Sequence, residues 1–273
     1  MRAERSSTIG TERLTNYALQ IKSQDEFVRQ LTTNLPVRPE YFQLDAAINR
    51  EGAAPLAELP QLSAIPASEL KYLIAQGGVA LDVRPADQFA AGHVPGSITI
   101  PLSGQFASWA GTVLGLTSDP VLIADSPEQL SEARVRLARV GIEDVRGYLE
   151  GGISGWKQAE LGLAGLSQIT VQNLDERLRV GDLNLLDVRR EPEWHAGHVA
   201  GAAWWPLDKF KAGLPSVDQN LPLAVHCKSG YRSIIACSLL QRAGYRNVIK
   251  VLGGLDAWQQ AGLPTEAGVS VDA

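Results

Sequence analysis

The stretch LAVHCKSGYRSIIACSLLQRA, residues 223–243, reads as a strand, a tight turn and a helix in immediate succession. Residues 223–226 are a short apolar run with the length of a buried strand, and residues 233–242 carry apolar side chains at helical spacing. Between them lie Cys227, Lys228, Ser229, Gly230, Tyr231 and Arg232. Where a parallel strand ends and a helix begins, unpaired N–H groups and the helix dipole converge on one spot. The Cys227 thiol belongs in that field. Gly230 permits a left-handed turn, so successive amides can face one concavity able to hold an anion. Lys228 and Arg232 add positive charge, and the combination is expected to lower the thiol pKa and give a reactive thiolate. Cys237, by contrast, sits within the helical run beside Ile235 and Leu239 and reads as a small buried hydrophobe.

Working outward, the chain repeats itself. LDVRPADQFAAGHVPGSITIPL, residues 81–102, aligns without gaps on LDVRREPEWHAGHVAGAAWWPL, residues 186–207, with eleven of 22 positions identical. PVLIAD at Pro120 recurs as PLAVHC at Pro222, and GGISGW at Gly151 as GGLDAW at Gly253. Short apolar strands alternate with amphipathic helices in both copies, which predicts an α/β fold with parallel sheets covered on both faces. The expected units are residues 61–163 and 164–273, joined by a glycine-bearing link at 161–165. They are preceded by a short helical extension over residues 1–60. In the extension, Ser23 and Glu26 read as a capping box for a helix through Phe27, Val28 and Leu31, ended by Pro36 and Pro39. A second helix is expected from Glu40 to Asn49, stopping near Gly52, with an apolar face that needs somewhere to dock.

Composition narrows the function classes. A 273-residue chain with 45% hydrophobic and 20% charged residues suits two soluble domains, and a net charge of -5 argues against general nucleic-acid affinity. No apolar run is long enough to span a bilayer, and residues 1–10 are too polar for a signal peptide. Two cysteines give no disulfide framework, so a reducing cytoplasm is the expected location. His195 and His198 lie three apart, but Ala90 stands opposite His195 in the first copy and no acidic or cysteine partner is near. Neither a metal nor another cofactor is expected. The Asp82/Arg84 and Asp187/Arg189 pairs, like His93 and His198, recur in both copies and read as structural. Of Trp204 and Trp205, adjacent in an extended segment, one is expected to be buried and the other to line a substrate mouth.

The copies part at the turn. Where the second has CKSGYR the first has DSPEQL, residues 125–130, so Asp125 replaces the sulfur, Pro127 removes an amide, Glu128 adds a carboxylate and Leu130 replaces the arginine. Each change opposes anion binding, and the first copy is expected to be silent.

LDVR, AGHV, CKSGYR and GGLDAW together resemble the rhodanese family of sulfurtransferases, across about 200 residues in two units. The resemblance implies two tandem rhodanese-like domains, each a parallel five-stranded sheet flanked by helices, an inactive one followed by an active one. It further implies a persulfide on Cys227, a small anionic sulfur donor such as thiosulfate or a glutathione persulfide, and a thiol or cyanide acceptor. Amides of residues 228–232, Tyr231 among them, would surround the sulfur. Lys228 and Arg232 would orient the donor, and Ser229 and Ser233 would add hydrogen bonds, although capping the helix accounts equally well for Ser233. The segments TNYALQ, FVRQL and PEYFQLDAAINREG are similar to the tail that joins a persulfide dioxygenase domain to rhodanese units in fused proteins; that domain is absent here, with no histidine and aspartate cluster for iron. Two alternatives stand beside this reading. One is a cysteine-dependent phosphatase or arsenate reductase, whose loops resemble this one but with five residues between cysteine and arginine instead of four. The other is a non-catalytic module, with residues 1–60 docking a second copy or a partner.

Overall fold

The computed structural model describes residues 6–33, 41–52 and 61–267. The chain forms two compact units, Met1–Pro39 and Glu40–Ala273. In the first, helices span Ile9–Thr15, Tyr17–Gln20 and Gln24–Thr32, each with a side-chain cap from Thr8, Asn16 or Ser23, and none has a buried residue. Only half of the expected capping box forms. The Ser23 hydroxyl accepts from the Glu26 amide at 3.4 Å, while the Glu26 carboxylate turns along the helix to Gln30 and Arg29. Pro36, Pro39 and Glu40 lie outside the described residues.

The second unit holds two five-stranded parallel sheets of the same topology. In the first, β1 (Ala64–Ile65), β2 (Ala80–Asp82), β3 (Ile98–Thr99), β4 (Val121–Ile123) and β5 (Gly147–Leu149) run in the order β1-β5-β4-β2-β3. In the second, β6 (Ser167–Ile169), β7 (Asn184–Asp187), β8 (Ala203–Trp204), β9 (Leu223–His226) and β10 (Val248–Val251) run in the order β6-β10-β9-β7-β8. Alternation along the central strands divides the core. Leu122 and Val225 face one apolar cluster that includes residues of both sheets, whereas Val121 and Ile123 face a second cluster and Ala224 a third. The two copies therefore share one interior, each with an outer core of its own.

The helix Tyr231–Arg242 lies in that shared interior, and its residues 233–238 are all buried. It also closes an open sheet edge. Ser238 Oγ accepts the Thr99 amide at 3.1 Å, and Arg242 donates to the carbonyls of Gly96, Gly77 and Gly78 at 2.7 to 3.0 Å. The helix Tyr41–Glu51 is held at its first residue: Tyr41 is 5% exposed in the shared cluster, and a Cβ on Gly111 would come within 2.7 Å of its ring, while Phe42 is exposed.

The residues common to both repeats are structural. Arg84 grips Asp82 through Nε and Nη2 at 2.6 to 3.1 Å and donates to the Gly92 carbonyl, and Arg189 does the same with Asp187 and Gly197. Each pair ties its strand end to the turn after the next helix. His93 stacks on Phe89 at 3.8 Å and His198 on Trp194 at 3.7 Å. Their backbones bridge the exit of each unit, His93 to Ala164 and His198 to Glu266. The 161–165 link is thus tied down at Ala164, and Gln241 also donates to the Gly165 carbonyl at 2.9 Å.

One turn positions the candidate loop from behind. Gly253 and Gly254 both take left-handed conformations, φ +70° and +58°, and a Cβ on Gly254 would meet the Cys227 carbonyl oxygen at 2.4 Å. That approach lets the Leu255 and Asp256 amides donate to the Cys227 and Lys228 carbonyls, both at 2.9 Å.

Two outcomes test this framework. Arg84→Ala leaves the fully buried Asp82 carboxylate uncompensated and is expected to cost about 3 to 5 kcal/mol in urea unfolding. Gly254→Ala should cost about 2 kcal/mol. Gly262→Ala, also left-handed but with open space around it, should cost about half as much.

Candidate active site

Strand β9 ends at the buried His226, and the chain turns through Cys227 to Gly230 before the helix begins at Tyr231. Gly230 is left-handed, φ +114°, which a side chain would oppose. That conformation aims its amide back at the turn, and Gly230 N–H donates to Cys227 Sγ at 3.2 Å. Ser233 Oγ lies 3.8 Å from the same sulfur and donates to the Gly230 carbonyl at 3.1 Å, which holds the turn in shape. Cys227 is recessed, 1% exposed, with Lys228 and Ser229 exposed on the rim.

The two bases of the loop are each engaged. Lys228 Nζ is 2.7 Å from Asp256 Oδ1. Arg232 makes a two-pronged pair with Glu193, Nη1 to Oε2 at 2.5 Å and Nη2 to Oε1 at 2.7 Å. Burial works against both charges of this second pair. The mutual hydrogen bonds and attraction more than offset it, holding the Glu193 carboxyl below its ordinary value and Arg232 above its own; the nearby Cys227 charge also favours the guanidinium. Tyr231 Oη donates to the Pro101 carbonyl at 2.8 Å, so this loop residue is anchored on the first repeat. Burial pushes its phenol well up, and it stays protonated.

Beneath the loop, His226 Nδ1 is 3.3 Å from the Cys227 carbonyl and Nε2 is 3.5 Å from Asp187 Oδ2, without a hydrogen-bond partner. Burial lowers its pKa despite the nearby Asp187 charge, which keeps the imidazole neutral. Cys237 is fully buried, and burial pushes its thiol well up, away from reactivity.

Cys227, Gly230 and Ser233 meet around one sulfur, with Arg232 held by Glu193 at the helix start. Lys228 turns to Asp256, Tyr231 to Pro101, and Ser229 is exposed on the rim. Trp204 and Trp205 differ from expectation, since both are half-buried. Their indole N–H groups donate to the Arg189 and Gly213 carbonyls. Sequence reasoning passed over Glu193 and Asp256, and the signal for Glu193 was present. At the aligned position the first repeat has Gln88, just as Leu130 stands for Arg232. Among the described residues, no group of three or more His, Cys, Asp or Glu side chains is arranged to hold a metal ion.

The corresponding turn of the first repeat is filled by its own side chains. The Asp125 amide donates to Gln129 Oε1 at 2.8 Å, Ser126 caps the helix Pro127–Ala138, and Pro127 has no amide to offer. An incoming anion would meet two carboxylates there, Asp125 and Glu128.

The Rhodanese-like domain family matches residues 66–159 and 170–261. A sulfurtransferase of Allochromatium vinosum is 30% identical over 103 residues, 37% of this chain and 96% of its own. The thiosulfate sulfurtransferase GlpE of Actinobacillus succinogenes is 30% identical over 105 residues, 38% of this chain and 95% of its own. The probable adenylyltransferase/sulfurtransferase MoeZ of Mycobacterium tuberculosis is 34% identical over 95 residues, 34% of this chain but 24% of that longer protein. With both repeats matched and the cysteine turn built in the second, the chain belongs to the rhodanese family as a tandem member, related to sulfurtransferases.

Proposed function

We propose that this protein is a sulfurtransferase that carries a sulfane sulfur as a persulfide on Cys227. The observation that supports this reading most directly is the Gly230 amide aimed at Cys227 Sγ at 3.2 Å, a preorganised dipole placed where a sulfur anion would sit. With thiosulfate as donor, the Cys227 thiolate attacks the outer sulfur, the donor S–S bond breaks, and its electron pair leaves with sulfite. A thiolate or cyanide then attacks the outer sulfur of the persulfide, and the pair returns to Cys227.

The recessed position of the cysteine favours a donor that presents one terminal atom. An added sulfur stands about 2 Å beyond Sγ, which brings the reactive atom toward the rim. A tetrahedral phosphate would need the Arg232 fork, and Glu193 already occupies it. The phosphatase alternative therefore draws no support from the site.

Cys227→Ser should abolish sulfur transfer from thiosulfate to cyanide. In donor-treated wild-type protein, mass spectrometry of peptides should find one added sulfur atom on the peptide holding Cys227. Cys237→Ser should keep both properties; sulfur on Cys237 would overturn the assignment.

A further inference from the structure

The repeat separates two classes of ion pair. The Asp–Arg pairs, Asp82 with Arg84 and Asp187 with Arg189, stand in both copies and tie each strand end to the turn after the next helix. The Glu193–Arg232 pair stands only beside the cysteine turn, because Gln88 and Leu130 occupy the aligned positions of the first copy. The first copy folds the same sheet without it, so the pair is not a requirement of the fold.

Its chemistry bears on what can approach Cys227. A guanidinium at the first turn of the helix would draw a dianion strongly, but this one is bound by both prongs to a carboxylate. Glu193 is itself fixed, since its Oε2 also accepts the Arg190 amide at 3.1 Å. The loop's other base, Lys228, is matched by Asp256. What remains directed at the sulfur is an uncharged dipole, the Gly230 amide.

We propose that Glu193 is a positioning and donor-discriminating residue: it fixes the Arg232 guanidinium at the start of the helix and cancels its charge, so that the loop favours singly charged sulfur donors over dianions. This rests on the sulfur-transfer reading and names the donor class for the same site. The Cys227 thiolate, itself an anion, then meets a donor without a strong field pulling in multiply charged competitors such as sulfate or phosphate.

The test uses two donors of similar shape and different charge, thiosulfate and the methanethiosulfonate anion, in which a methyl group replaces one charged oxygen and methanesulfinate is the leaving group. Glu193→Gln installs the residue that the first repeat carries at this position. It should raise kcat/KM for thiosulfate relative to methanethiosulfonate by about three- to tenfold, mainly through KM, as one negative charge is removed near the reacting sulfur. Glu193→Asp keeps the charge on a shorter arm, so kcat should fall for both donors while their ratio stays within about twofold of wild type. In the wild-type protein, thiosulfate kcat/KM should not fall between low salt and ~0.2 M, because both bases of the loop are paired and the charge left for salt to screen is the thiolate's own repulsion of the dianion. An unchanged donor ratio in Glu193→Gln, or a steep loss with salt in wild type, would overturn the assignment of Glu193 alone. Absence of sulfur transfer from either donor to wild-type protein would overturn the sulfur-transfer reading beneath it.

Discussion

The site depends on a backbone contact in which a side chain would force the chain to shift. Gly254 presses against the Cys227 carbonyl closely enough that the Leu255 and Asp256 amides can take the Cys227 and Lys228 carbonyls from behind. With those carbonyls turned to the rear, the turn is free to present an N–H at its front, and the Gly230 amide reaches the sulfur. Two left-handed glycines and one more at the helix cap thus produce a donor aimed at Cys227 without any charged group. Charge is added around this arrangement and then cancelled, Lys228 by Asp256 and Arg232 by Glu193.

The two repeats show what the fold needs and what the chemistry adds. Both keep the buried Asp–Arg pair, the stacked histidine and the double-glycine turn, and both build the same sheet. The first copy loses the cysteine, one amide and the arginine of the second, and Gln129 fills the vacated turn. It contributes in another way. Tyr231 is anchored on Pro101 and the helix Tyr231–Arg242 on Thr99 and Gly96, so the first copy forms a wall beside the cysteine turn of the second. A common apolar interior joins the two copies.

Much of this was legible in the sequence because the relevant signals are local. The strand–turn–helix around Cys227, the repeat, and the structural part played by Asp82, Arg84, His93 and their counterparts all follow from spacing and from comparing the copies. Side-chain partners distant in the chain were not legible: Glu193 is 39 residues from Arg232 and Asp256 is 28 from Lys228, and adjacency of strands in the sheet brings them together. The two bases read from sequence as free positive charge are compensated in the fold. The purpose of GGLDAW was visible only as recurrence, since a close approach between backbones leaves no pattern except the glycines themselves. For Trp204 and Trp205 the alternation rule failed, because the two-residue edge strand β8 ends at Trp204 and both indoles tie back to nearby carbonyls.

The central claim is that the Gly230 amide stabilises sulfur charge on Cys227, and proton–nitrogen NMR of that amide reports on it most directly. On adding one equivalent of thiosulfate, the Gly230 amide proton should shift downfield as the hydrogen bond to charged sulfur changes, while the Asp125 amide, bonded to Gln129, stays in place. A Gly230 signal that does not move while Cys227 becomes loaded with sulfur would contradict the account.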